Sequence, residues 1–171
     1  MPSGASVSDY ANKAKETEMA DDEQLLPAEI ASIQMSLKAI EEGHIEFIHP
    51  GLVVNALREL WFSGLPVWLS VREKQTRYSP ATPDWYVGMS NEFIKAIEGI
   101  DRKLQGRILE AISLISREPT TSKGDTVKPL TSDLKGLWRY RIGDFRLVYY
   151  PDIANKRVVL VTFASRGSAY A

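Results

Sequence analysis

Apolar residues recur at three- and four-residue steps in two stretches of the first third of the chain, and at alternate positions through most of the last third. In the first stretch Pro27 opens a run in which Ile30, Ile33, Leu37 and Ile40 share one helical face, and Gly43 closes it. A second helix is predicted from His49-Pro50, with Val53, Ala56, Leu57 and Leu60 on one side and Trp61 beside them. Two helices this short bury little alone, so their apolar faces need another surface, either the rest of this chain or a partner. Residues 1–24 are polar and poor in aromatics and read as a flexible or marginally helical tail. Residues 62–83 join the parts, with Gly64, Pro66, Pro80 and Pro83 as breakers around an apolar Leu65–Leu69 that could pack as an extended strand.

From residue 84 the pattern changes. Trp85-Tyr86-Val87 is a short strand, and Ser90-Asn91-Glu92 caps a helix carrying Phe93, Ile94, Ile97 and Ile100. A further helix from about Asp101 to Arg117 places Leu104, Ile108, Ala111, Ile112 and Ile115 on its apolar stripe, which completes a helical hairpin. Strand patterns follow at 127–130, 137–142, 145–150 and 157–165, the last apolar on both faces and therefore central. The predicted class is α+β: a strand, a helical hairpin, then an antiparallel meander sheet with helices on one face.

The stretch GLWRYRIGDFRLVYY (136–150) sets three arginines among apolar residues. With Gly143-Asp144 as a two-residue turn, Ile142 lies opposite Phe145, Arg141 opposite Arg146 and Arg139 opposite Val148. Alternation then sends Trp138, Tyr140, Ile142, Phe145, Leu147 and Tyr149 to a core face, and Arg139, Arg141 and Arg146 to the other. Two guanidinium groups directly opposite each other repel unless an anion lies between them. The arrangement fits a phosphate clamp. The competing reading is an exposed sheet face coated with solvated arginines, paired to Asp133 or Asp152. Arg166 and the penultimate Tyr170 follow the last strand and join this set if the sheet order brings the strand ends together.

At 171 residues the chain suits one ordinary core, or a small domain with a helical attachment. It has no cysteine, so disulfides, thiol nucleophiles and zinc–thiolate sites are excluded. His44 and His49 lack carboxylate partners at ligand spacing; no metal or cofactor is expected. No window approaches eighteen apolar residues, and the opening MPSGASVSDYANK has no signal-peptide pattern, so the expected location is cytoplasmic. The net charge of −1 hides an asymmetry: residues 1–82 carry −5 and residues 83–171 carry +4. A polyanion-binding module with an acidic attachment able to cover it fits that split, as does ordinary surface charge.

Over about residues 84–171 the chain resembles the RelE/ParE toxins of bacterial toxin–antitoxin systems. The resemblance rests on Phe93-Ile94-Lys95, Lys128-Pro129-Leu130, Tyr140-Arg141-Ile142-Gly143-Asp144-Phe145-Arg146-Leu147-Val148-Tyr149, and Arg166 with Tyr170. It implies a RelE-like fold and a metal-independent endoribonuclease, an mRNA interferase that enters the ribosome and inhibits translation. By resemblance, Arg139, Arg141, Arg146, Arg166 and Tyr170 are the catalytic set, and Lys128 joins the arginines in RNA binding. In such cleavage the 2′-hydroxyl loses a proton and attacks phosphorus, charge on the phosphate oxygens is neutralised, and the leaving 5′-oxygen is protonated. Arginine stays protonated, so it suits only the middle role, and Tyr170 is the candidate base. Arg139 and Arg141 stand where family members carry lysine, and Ser165 where many carry histidine. The ParE branch, which targets DNA gyrase, is the alternative, and an inert regulatory protein is a third reading.

Residues 25–61 are similar to the toxin-wrapping part of RelB-like antitoxins. The expected organisation is a tail (1–24), an antitoxin-like helical segment (25–61), a joining segment (62–83) and a toxin domain (84–171), with the acidic helices masking the toxin in cis. Implied partners are an antitoxin, fused or separate, the ribosome and mRNA, operator DNA bound as a complex, and a second copy of the chain in a homodimer. An unrelated extension is the alternative for residues 1–82.

Overall fold

Strong local signals start the helices. In the computed structural model, which describes residues 25–67, 85–131 and 134–165, helix α1 is Pro27–Glu41 and α2 is Pro50–Ser63. Proline begins both, at the position where a missing N–H costs nothing. His49 is the N-cap of α2, its Nδ1 accepting from the Gly51 N–H, so this histidine closes a helix end. Helix α3 (Asn91–Ile97) is capped by the Ser90 hydroxyl, which accepts from the Phe93 N–H. Helix α4 (Arg102–Arg117) is capped by Asp101, which accepts from the Leu104 N–H.

Six strands form one sheet in the order β1-β2-β6-β5-β4-β3. They are β1 (Phe47–Ile48), β2 (Tyr86–Met89), β3 (Val127–Pro129), β4 (Trp138–Ile142), β5 (Phe145–Asp152) and β6 (Arg157–Ser165). Strands β3 to β6 make the predicted antiparallel meander, while β2 runs parallel to β6. The twice-apolar β6 is interior, as its composition requires. The hairpin register is the expected one, with Arg141 opposite Arg146 and Ile142 opposite Phe145.

Two apolar clusters sandwich the sheet. On one face Phe93, Ile97, Ile108 and Ile112 of α3 and α4 meet Ile142, Leu147, Tyr149, Val158 and Leu160. This gives the α+β layering read from the sequence. Helix α2 joins the same cluster through Leu52, Val53, Ala56, Leu57 and Leu60. On the opposite face Leu25, Ile30 and Ile33 of the α1 region meet Val148, Val159 and Val161, with Leu130, Leu134 and Leu137 alongside. The two N-terminal helices therefore grip opposite faces of the sheet, and β1 between them extends its edge.

The edge fits closely. A Cβ on Gly88 of β2 would lie 2.6 Å from Ile45 Cγ2 and 2.8 Å from Phe47 Cε1, so only glycine admits the segment that precedes and forms β1. Phe47 in turn lies under the Arg157 guanidinium, 4.2 Å from ring centroid to Cζ. Of the predicted regions, the tail 1–24, residues 68–83 of the joining segment, Asp84, Asp133, Arg166 and Tyr170 lie outside the described residues.

Candidate functional site

The hairpin arginines project from the face that carries Val148, Val159 and Val161, and this face is not open. Arg139 is 1% exposed, Arg146 is 4% exposed and Arg141 is half-buried. The face is covered for a simple reason. The three valines sharing the face need apolar cover, and Leu25, Ile30 and Ile33 provide it.

The charge that meets Arg146 comes from α1. Glu29, 5% exposed, receives Arg146 Nε at 3.2 Å on Oε2 and Arg146 Nη2 at 2.5 Å on Oε1. Two near-parallel bonds to one carboxylate are the arrangement a guanidinium also makes with phosphate. Glu29 Oε1 further accepts from the Leu26 N–H at 3.2 Å, so the same side chain closes the first turn of α1, where a negative charge is favoured. Opposed guanidinium groups at Arg141 and Arg146 need an anion nearby, and for Arg146 that anion is Glu29 of the same chain.

Arg139 behaves differently. Its side chain is buried and its Nη1 donates to the Asp125 and Thr126 carbonyls of the loop before β3. Lys128, opposite Arg139 in the register, pairs its Nζ with Asp125 Oδ1 at 2.7 Å on the surface. That contact holds the exposed Asp125 carboxyl below the usual carboxylate range. Asp152, considered as a partner for the hairpin arginines, instead accepts from Arg157 Nε at 2.8 Å and from Asn155 Nδ2 at 2.9 Å.

Two tyrosines are held in the neutral phenol form by their surroundings. Burial raises the Tyr140 phenol, with the nearby Glu110 charge adding to it, and burial raises Tyr149, whose hydroxyl donates to the Pro119 carbonyl at 2.7 Å. Both point into the helical face, away from the arginines.

The cover has a loose seam. A cavity of about 460 Å³ lies between α1, α3 and the end of β6, lined by Leu26, Glu29, Ser32, Glu92, Ala96 and Thr162 among others. The Thr162 hydroxyl is buried there with no hydrogen-bond partner among the described residues. Across the seam Ser36 Oγ lies 3.2 Å from Glu92 Oε1 and 3.4 Å from the Val161 carbonyl, to either of which it can donate. Among the described residues no group of three or more His, Asp or Glu converges as a metal site, and no helix is long and apolar enough to cross a membrane.

Sequence reasoning missed Glu29, Ser36, Glu92 and Thr162. Glu29 lies two residues after the helix-opening Pro27, and nothing local names Arg146, 117 positions away, as its partner.

Residues 87–170 match the family model described as the ParE toxin of the type II toxin–antitoxin system, parDE. Those residues are a toxin domain of the RelE/ParE family. Among solved structures, the chain is similar to the toxin–antitoxin complex RelBE2 from Mycobacterium tuberculosis. The identity is 24%, the TM-score 0.42, and the match spans 48% of this chain and 99% of that one. No curated protein gives a significant match.

Proposed function

We propose that the toxin domain is a RelE-like, ribosome-dependent mRNA endoribonuclease of the cytoplasm, held masked by α1 of the same chain. The observation that carries this reading is the buried pair of Glu29 with Arg146, a carboxylate seated where the guanidinium would take a phosphate. In the unmasked state Arg141 and Arg146, opposite each other on β4 and β5, neutralise charge on the phosphate under attack. Arg166 adds to that neutralisation, and Tyr170 takes the 2′-hydroxyl proton or returns one to the 5′-oxygen. Arg139 acts by positioning, tying the 125–126 loop behind the site, and Lys128 extends the cationic strip along the edge strand. The chain also pairs with a separate RelB-like antitoxin when α1 is displaced.

Mapping mRNA 5′ ends on ribosomes exposed to the full chain carrying Glu29→Gln tests this. Discrete A-site cuts that vanish with Arg146→Ala or Tyr170→Phe added are the expected result. A ParE-like attack on DNA gyrase is the second reading, favoured by the particular family model that matches. Trapped gyrase–DNA complexes without mRNA cuts would select it. Neither effect would leave an inert regulatory fusion.

A further inference from the structure

The two helices that flank β1 sit on interfaces of opposite character. The α2 interface is apolar throughout: Leu52, Val53, Ala56, Leu57 and Leu60 share one cluster with Val87, Phe93, Ile97, Ile108 and Ile112. Its polar tie is satisfied, since Trp61 Nε1 donates to the Ile97 carbonyl at 2.8 Å. Removing α2 would open the main core. The α1 interface buries fewer apolar side chains on the sheet and strips water from Glu29 and Arg146, which both lie within it. It also leaves the Thr162 hydroxyl unpartnered among the described residues and borders the 460 Å³ cavity. Each of these polar groups recovers water if α1 lifts away, so the closed state carries desolvation costs that the α2 interface does not.

The connection between the helices suits such a movement. Glu42 ends α1, and Gly43 adopts φ +75 with nothing within 4 Å of the position its Cβ would occupy. Gly43 and His44 are exposed, whereas Ile45 and Phe47 are held over Gly88 immediately afterwards. A pivot at 42–44 therefore frees α1 while leaving β1 and α2 in place.

We propose that the N-terminal segment is two devices: β1 and α2 are permanent parts of the toxin fold, and α1 alone is a hinged cover latched by Glu29 on Arg146. The latch is competitive. A phosphate of single-stranded RNA and the Glu29 carboxylate claim the same guanidinium, so RNA binding and α1 opening are linked, and apparent affinity falls by the fraction of chains that are closed. This last step rests on the ribonuclease reading; the mechanical division does not.

Hydrogen exchange on the full chain tests the division, and an oligoribonucleotide tests the linkage. Amides of residues 27–41 are expected to exchange about tenfold or more faster than those of 50–63, which exchange with β5 and β6. Glu29→Gln, or separately Ser36→Ala, accelerates 27–41 further and leaves 50–63 unchanged. Exchange of 27–41 and 50–63 as one unit, or equal acceleration of both, would overturn the hinged cover. A single-stranded oligoribonucleotide is expected to bind the Glu29→Gln chain about tenfold or more tighter than the unaltered chain. If α1 opens separately yet the oligoribonucleotide binds both chains equally, the cover stands and the competition with RNA phosphate is overturned.

Discussion

Helices α1 and α2 read alike in the sequence: each starts at a proline, ends at a glycine and carries one apolar face. Their settings differ in kind. Helix α2 completes the core that α3 and α4 build on one side of the sheet, and α1 lies over the charged side, where its own Glu29 meets Arg146. Similar amphipathic patterns thus serve a structural part and a cover, and what separates them is the polarity of the surface each covers. A buried charge pair is a poor source of net stability, because desolvation offsets much of the attraction. It is strongly directional, and that is what a latch requires.

The contrast can be broken most forcefully from the α2 side. Leu57 is fully buried, and Leu57→Ala should cost about 2–5 kcal/mol of global stability in a denaturant titration, because the cavity opens inside the main core. By contrast, Glu29→Ala leaves Arg146 buried without that partner. In a rigid protein such a change costs about 3–5 kcal/mol, but α1 can lift to hydrate the arginine, so the measured loss should fall below that range and below the loss for Leu57→Ala. Gly88→Ala forces Ile45 and Phe47 off the sheet edge and should cost about 1–3 kcal/mol, with the exchange increase centred on 45–48. Tyr149→Phe removes the donor to the Pro119 carbonyl and should cost about 1 kcal/mol in the same titration.

The smallest effect is expected at Asp152. Burial raises its carboxyl, but hydrogen bonds from Asn155 and Arg157 outweigh that and hold it below the ordinary value of 3.8. A depressed carboxylate stabilises the fold above its unfolded value, and the contribution disappears as pH falls through the folded one. The stability gap between the unaltered chain and Asp152→Asn should therefore be present at pH 6 and close below about pH 4.

Local periodicity and caps are legible in the sequence. Pro27, Gly43, His49-Pro50, Ser90 and Asp101 all act at helix ends, and the turn at Gly143-Asp144 set the hairpin register residue by residue. The sorting of Arg139, Arg141 and Arg146 to one face followed from that register. Their burial did not, because it depends on Ile30 and Ile33 arriving from more than a hundred positions away. The different fates of Arg139 and Arg146 were hidden for the same reason: alternation assigns a face, and only tertiary contacts decide whether a guanidinium meets loop carbonyls or a carboxylate. The charge asymmetry between the two halves hinted at a cover without saying that one acidic residue would form the latch.

Masking of the arginine face by α1 can be read from the inhibition of cell-free translation by intact chains. Intact chains are required because residues 84–171 alone would lack the part of the core that α2 supplies. If α1 masks the site, Glu29→Gln inhibits at a concentration about tenfold or more below that of the unaltered chain, and adding Arg146→Ala abolishes the inhibition. Equal potency of the unaltered and Glu29→Gln chains would contradict it.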